Sequence, residues 1–303
     1  MTYLRRLPRF DFVSPSSVAE VCALTAQAAD GEVMLLAGGT DAILQMRRRE
    51  RTPRQVVGLK ALRELDFVRE QADGSLALGA MTTLQTLLTS PLVKKHYDVL
   101  AETAGQIGGP ELRNVATIGG NVAGALPCAD MPPALMTLGA RVKLASKGGE
   151  RWVPLDEFFP EFGRTVAAKG ELVTEIALPK APPLSAGCYF KYHDRHSMDM
   201  TVVGVAAFVA LEADARTIRE LRLAYANSAP TVVRARAAEG VLKGKALTEE
   251  GLAATAEAAV HACSPRTSWR ANREYREELI RNLTCRAIRQ ATQKAAARKG
   301  AQP

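Results

Sequence analysis

Two glycine pairs constrain this chain more than any other feature. Ala37-Gly38-Gly39-Thr40-Asp41 and Thr117-Ile118-Gly119-Gly120-Asn121 each set adjacent glycines among small polar residues, and the first follows the apolar run Val33-Met34-Leu35-Leu36. Without a Cβ the backbone can turn sharply and a ligand can approach its amides closely. One reading is that the two bends grip the phosphates of a dinucleotide from opposite sides, with backbone amides aided by Thr40, Thr117 and Asn121. The other is a pair of ordinary tight turns. Neither bend spells G-x-G-x-x-G ahead of a long helix, so a Rossmann fold is poorly supported.

The rest of the composition narrows the classes. The chain has 303 residues, 47% of them apolar, enough for a full core and more than one domain. No apolar run approaches the roughly 20 residues of a membrane span. The start, Met1-Thr-Tyr-Leu-Arg-Arg-Leu-Pro, leads into no apolar segment, so no export signal is expected. Five scattered cysteines with no CxxC pair fit a reducing cytoplasm, and argue against a metal or iron–sulfur site built by this chain alone. The formal charge of +8 gathers in Arg47-Arg48-Arg49-Glu50-Arg51 and in the tail from Arg289 to Lys299. Nucleic-acid binding is one reading of these runs; a solvated helix face and a frayed terminus is the other. No aromatic residues interleave with the charges to form a base-stacking platform.

Periodicity and turn chemistry predict mixed α and β elements. Helices are expected at 16–29, 41–46, 61–65, 82–88, 95–108 (ended by Gly108-Gly109-Pro110) and after Pro132-Pro133. Strands are expected at 33–36, 55–59 and 141–145, with a hairpin of 67–68 and 75–78 around Asp73-Gly74. Pro179-Lys-Ala-Pro182-Pro183 reads as a linker. Beyond it, strands at 187–191, 201–211 and 220–226 precede helices near 231–242, 248–261 and 272–296. This order does not alternate regularly enough for a doubly wound sheet; it points to α+β.

Other residues invite chemistry. Arg113 could anchor a phosphate or form a surface salt bridge. Asp130 could accept from a ribose hydroxyl, cap the next helix, or both. His193-Asp194-Arg195-His196 suggests a metal, but no third or fourth ligand is near in sequence, which favours a polar surface loop. There is no Gly-x-Ser-x-Gly elbow, and Cys128 has no histidine close by in sequence. With no acid–base pair evident, no catalytic side chain is assigned, and any catalysis belongs to a bound cofactor.

Taken together, the motifs resemble the FAD-binding subunits of molybdenum hydroxylases, the family that includes bacterial xanthine, nicotinate and carbon monoxide dehydrogenases. The matching segments are Leu35-Leu-Ala-Gly-Gly-Thr-Asp41, Gly79-Ala-Met-Thr-Thr-Leu84 and Ile107-Gly-Gly-Pro-Glu-Leu-Arg-Asn-Val-Ala-Thr-Ile-Gly-Gly-Asn121. Gly170-Glu-Leu-Val173, Tyr189-Phe-Lys191 and Ser264-Pro-Arg-Thr-Ser-Trp-Arg270 follow in the expected order, so the likeness spans almost the whole chain. The last segment, with Met198-Asp199, is most similar to the xanthine dehydrogenase branch.

The resemblance implies a fold and a set of roles. Residues 1–180 would form an FAD-binding domain of two α+β subdomains, of the PCMH or vanillyl-alcohol-oxidase type. Residues 184–292 would form a smaller C-terminal α+β domain, and 293–303 a basic tail. Leu35, Leu36, Ala37, Gly38, Gly39, Thr40, Asp41 and Ala42 would wrap the FAD pyrophosphate and ribitol. Thr117, Ile118, Gly119, Gly120 and Asn121 would close the other side, and Asp130 would hold an adenosine-side hydroxyl. Ile107 and Val173 would pack near the flavin, with Lys191 close to the isoalloxazine.

A large molybdopterin subunit and a small subunit with [2Fe-2S] clusters would be the partners. FAD on this chain would collect electrons from the clusters and pass them to NAD or another acceptor. The cysteine-rich insert of hydroxybenzoyl-CoA reductase relatives is missing, since only Cys128 lies between Gly120 and Asp130. The alternative is a flavin-lacking scaffold or assembly subunit of such a complex.

Overall fold

The computed structural model describes residues 6–195 and 198–300. The chain builds three sheets in succession, each with its own helices. The first subdomain runs β1 (Asp11–Val13), α1 (Val18–Gln27), β2 (Val33–Leu36), α2 (Ala42–Arg48) and β3 (Gln55–Gly58). Its strands are all parallel, in the order β1-β3-β2. Ser17 starts α1 by accepting from the Glu20 amide, while Ser16 and Glu20 bond to each other, which closes a reciprocal cap.

The second subdomain contains β4 (Val68–Glu70), β5 (Leu76–Gly79), α3 (Leu84–Thr89), α4 (Pro91–Gly105), α5 (Pro110–Arg113), α6 (Ile118–Ala123) and α7 (Met131–Thr137). It ends with β6 (Arg141–Ser146), β7 (Gly149–Pro154) and β8 (Leu172–Leu178). The five strands form one antiparallel sheet, ordered β4-β5-β8-β6-β7.

Three local differences from expectation have physical causes. The helix expected over 95–108 begins at Pro91, because Ser90 caps it and proline is pre-set for the first helical position. It breaks at Tyr97 (φ −147°, ψ 78°), whose hydroxyl donates to the Pro179 carbonyl at 2.6 Å. Thr117 to Asn121, read above as a loop, opens α6: the Thr117 hydroxyl accepts from the Gly120 amide at 3.1 Å and caps the turn. Two glycines in one helix are costly, yet Gly119 has to be one, since a Cβ there would stand 2.6 Å from the Ala80 carbonyl oxygen.

The C-terminal domain comprises β9 (Ser185–Tyr192), β10 (Val203–Leu211), β11 (Ile218–Ala226), β12 (Val233–Arg234), α8 (Arg236–Glu239), α9 (Glu249–Ala262) and α10 (Arg273–Ala297). The antiparallel order is β12-β11-β10-β9. The helix expected over 231–242 is mostly replaced: β-branched Val232-Val233 favours the strand that pairs with β11, leaving only the short α8.

Every residue of β10 is buried. Val205, Ala207, Val209 and Leu211 face the core under α9 and α10, whereas Ala206, Phe208 and Ala210 join the core of the second subdomain. A strand covered on both sides reads as the continuous apolar run seen here.

The basic tail does not fray within the described residues. α10 carries on to Ala297 because Ala291 and Ala295 sit on its buried face. Lys294 binds Glu102 at 2.6 Å, and Arg298 donates to the Ser185 carbonyl at 2.7 Å. Residues 301–303 lie outside the described set.

Candidate functional site: a cleft between two glycine bends

Strand β2 carries the first glycine bend to the top of its sheet, and α6 carries the second. They meet. A Cβ on Gly38 would lie 2.0 Å from the Val115 carbonyl oxygen, so this glycine is pressed against the backbone leading into α6. A Cβ on Gly120 would come within 3.7 Å of the Ala37 Cβ. Both bends line one cleft of about 970 Å³, in the size range of small-molecule and cofactor sites.

The two bends offer different chemistry. The amides of Gly38, Gly39, Thr40 and Asp41 donate to no described group, although Ile43 and Gln45 just beyond already bond back to Gly39 and Asp41. Consecutive unmatched N–H groups at a bend form an anion-binding concavity. The second bend is used internally: Ile118 donates to Thr82, Gly119 to Ala80, Gly120 to the Thr117 hydroxyl and Asn121 to the Thr117 carbonyl. Its amides thus already have partners within the chain, unlike those of the first bend. It contributes close approach instead, and the Asn121 side chain, whose Oδ1 is buried without a hydrogen-bond partner. An orphaned polar atom beside a row of free amides fits a polar ligand lying between them.

Of the expected residues, Leu35, Ala37, Gly38, Gly39, Thr40, Asp41, Ala42, Thr117, Gly119, Gly120, Asn121 and Val173 line this cleft. Leu36 and Ile118 turn inward, Leu36 against the Met34–Met46–Val56 cluster and Ile118 fully into the main core. Burial in the concave wall pushes the Asp41 carboxyl up from its ordinary value.

Asp130, Lys191 and Ile107 form a second group outside the cleft lining. Asp130, expected on the adenosine side, has a buried carboxylate that accepts from Tyr189 Oη and Thr201 Oγ1, each at 2.6 Å, and from Lys191 Nζ at 2.9 Å. Lys191 Nζ also donates to the Gln106 carbonyl at 3.3 Å, which brings it beside Ile107. Burial, and next the Asp130 charge, push the Tyr189 phenol well up. Cys128 ties the groups together spatially. Its thiol is raised by burial first, then by Asp130, and it also senses Asp41 and Lys191.

Arg113 is bonded within the chain. Its Nη1 donates to the carbonyls of Gly105, Ile107 and Gly108, closing the end of α4, and its Nε donates to Gln85. His193 is half-buried, with Nδ1 against the Arg195 carbonyl. His196 lies outside the described residues. No group of three or more His, Cys, Asp or Glu suited to a metal occurs among the described residues. No helix among them is long and apolar enough to cross a membrane.

Sequence reasoning missed the part of the wall from Phe162 to Lys169, which leads into the Gly170-Glu-Leu-Val173 segment. Arg151 holds it, donating to the Val166 carbonyl at 2.9 Å and to Glu171 at 2.6 Å, and this partner keeps the Glu171 carboxyl below its usual value. Phe162 lines the cleft yet is 62% exposed. The available signal was an aromatic residue beside Gly163 in a stretch without periodicity.

Comparison with known proteins identifies the family. Residues 8–181 match the family described as "FAD binding domain in molybdopterin dehydrogenase", and residues 188–291 match "CO dehydrogenase flavoprotein C-terminal domain". The putative xanthine dehydrogenase FAD-binding subunit of Escherichia coli K12 is 34% identical over 284 residues, covering 93% of this chain and 97% of that protein. The carbon monoxide dehydrogenase medium chain of Hydrogenophaga pseudoflava is 32% identical, over 94% of this chain and 97% of that one. A solved carbon monoxide dehydrogenase from the same organism superposes with a TM-score of 0.91 at 33% identity, covering 96% of this chain and 99% of that chain.

Proposed function

The chain belongs to the family of FAD-binding subunits of molybdopterin dehydrogenases, and from that premise we propose that it seats FAD in the cleft between Gly38–Ala42 and Thr117–Asn121. Within a complex of xanthine dehydrogenase type, it would relay electrons from [2Fe-2S] clusters on a small subunit to NAD or another acceptor. A large molybdopterin subunit would carry out the substrate hydroxylation. The observation that supports this best is the convergence of both bends on one cleft that holds four unmatched amides.

When bound, FAD supplies the exchange between one-electron iron–sulfur chemistry and two-electron hydride chemistry. This chain's residues do the rest. The amides of Gly38 to Asp41 offset the negative charge of the diphosphate. Gly120 lets the cofactor backbone approach α6 without a side chain intervening, while Gly119 lets α6 close against Ala80. Leu35 and Val173 exclude water from an aromatic ring system. The Lys191–Asp130 pair supplies a compensated positive charge that would lie close to the isoalloxazine.

Purified chain should be yellow and release FAD on denaturation. A Gly120→Trp variant should lose the flavin while still co-purifying with partner chains. Stoichiometric FAD in that variant, or a colourless wild-type chain that takes up no FAD, would overturn the assignment and leave the scaffold reading.

Phe162 offers an exposed π-face in the same cleft as the free amides. Phe162→Ala should weaken FAD about tenfold, since a base–aromatic stack contributes about 1–3 kcal/mol. FMN, which lacks adenine, should bind the variant and the wild type equally in fluorescence titrations of the apoprotein. An equal loss for both ligands would place the adenine elsewhere.

A further inference from the structure

The turn before α10 gathers Arg266, Arg270 and Arg276, none of which forms an ion pair with a described carboxylate. Arg276 is 1% exposed, yet none of the described carboxylates lies within 4 Å of it. Its Nη1 donates to the Val202 and Asn227 carbonyls and its Nη2 to Ser268 Oγ at 2.9 Å, while its Nε is buried without a partner. Burial, then Arg266 and Arg270, push the Arg276 guanidinium down, and Asp194 offsets them in part from beyond ion-pair distance. The Arg270 Nε is likewise buried and unpartnered, and its guanidinium stacks 4.1 Å above the Trp269 ring. Arg273 nearby shows the contrast, being paired to Glu277 at 2.8 Å.

Trp269 is 83% exposed, more than any other large apolar residue described. Met200 and Tyr275 are exposed on the same edge, with Tyr275 packed edge-on against Tyr192. Arg276 joins the two segments by bridging Val202 to Ser268. Interface cores are enriched in Trp, Tyr, Met and Arg, and Trp, Tyr and Arg dominate their energetics. Trp269 protrudes and does not wall the cleft, so it suits a slot in another protein better than a small ligand.

We propose that Trp269, Arg266 and Arg270 dock onto a partner subunit of the dehydrogenase complex, whose face offers an apolar slot for the indole ringed by Asp or Glu carboxylates. This rests on the reading of the chain as one member of a multi-subunit enzyme. Arg276 stays buried and positions the turn. The unpaired guanidinium groups select an acidic partner, and the indole fixes the register.

The chain has two tryptophans, so Trp152→Phe leaves Trp269 as the sole indole reporter. Acrylamide should quench its fluorescence readily in the isolated FAD-loaded chain and several times less in the complex purified with its small and large subunits. Trp269→Ala and Arg270→Glu should each raise the subunit dissociation constant about 30-fold, as expected for hot-spot residues. FAD content should be unchanged, and Trp269→Phe should keep most of the affinity. Equal quenching in free and assembled chain, undiminished assembly of Trp269→Ala, or protection of Trp269 by NAD alone would each overturn the proposal. A wild-type chain that holds FAD but never joins other chains would overturn docking and leave the flavin site standing. Loss of FAD with intact docking would do the reverse.

Discussion

Gly38→Val is expected to weaken flavin retention sharply. The new Cβ would fall 2.0 Å from the Val115 oxygen, 2.7 Å from its carbon and 2.9 Å from the Ala116 Cα, all backbone atoms. That backbone cannot slide aside, because Ala116 donates to Leu112 and accepts from Leu84. The two bends must part instead. Overpacking of this kind costs about 1–3 kcal/mol, and borne at the site it corresponds to about 10–100-fold in FAD affinity. Gly148→Ala is the control, since its nearest neighbour is the Ser146 hydroxyl at 3.7 Å on the sheet's far turn. The ratio of flavin to protein absorbance after gel filtration measures the effect. A Gly38→Val chain with a full complement of FAD would disprove the claim that contact between the bends shapes the site.

Asp130→Ala should cause the largest loss of stability. The ion pair with Lys191 leaves the two side chains only 7% and 4% exposed. Removing one member of a buried pair strands the other charge, at a cost of about 3–5 kcal/mol. The hydroxyls of Tyr189 and Thr201 also lose their acceptor. Urea unfolding followed by circular dichroism should show the drop. The double variant Asp130→Ala with Lys191→Met should recover part of it, because no bare charge remains. A loss below about 1 kcal/mol would mean that water reaches Lys191 and the pair is not buried in solution.

Much of this was legible in the residues, and the limits have causes. Both glycine bends announced themselves, because only glycine permits contact such as that of Gly38 with Val115. Long amphipathic elements such as α9 and α10 were also clear, since their buried residues recur at helical spacing. β7 escaped notice because Gly149-Glu-Arg-Trp has an exposed, charged surface and is held by pairing with β6. α6 was hidden because glycines advertise a turn; its cap and the Ala80 contact override propensity. Asp130 illustrates a different limit. Its partners Tyr189, Lys191 and Thr201 come from another domain, and no spacing in the chain reveals that they converge.

The two-sided burial of β10 has a consequence for biosynthesis. Ala206, Phe208 and Ala210, with Tyr189 and Ala224, complete the hydrophobic interior beneath the flavin-binding half. That half therefore stays unfinished on the ribosome until the strands near residue 226 have emerged. A chain truncated at the proline-rich linker is therefore expected to leave apolar surface bare rather than yield a free-standing flavodomain.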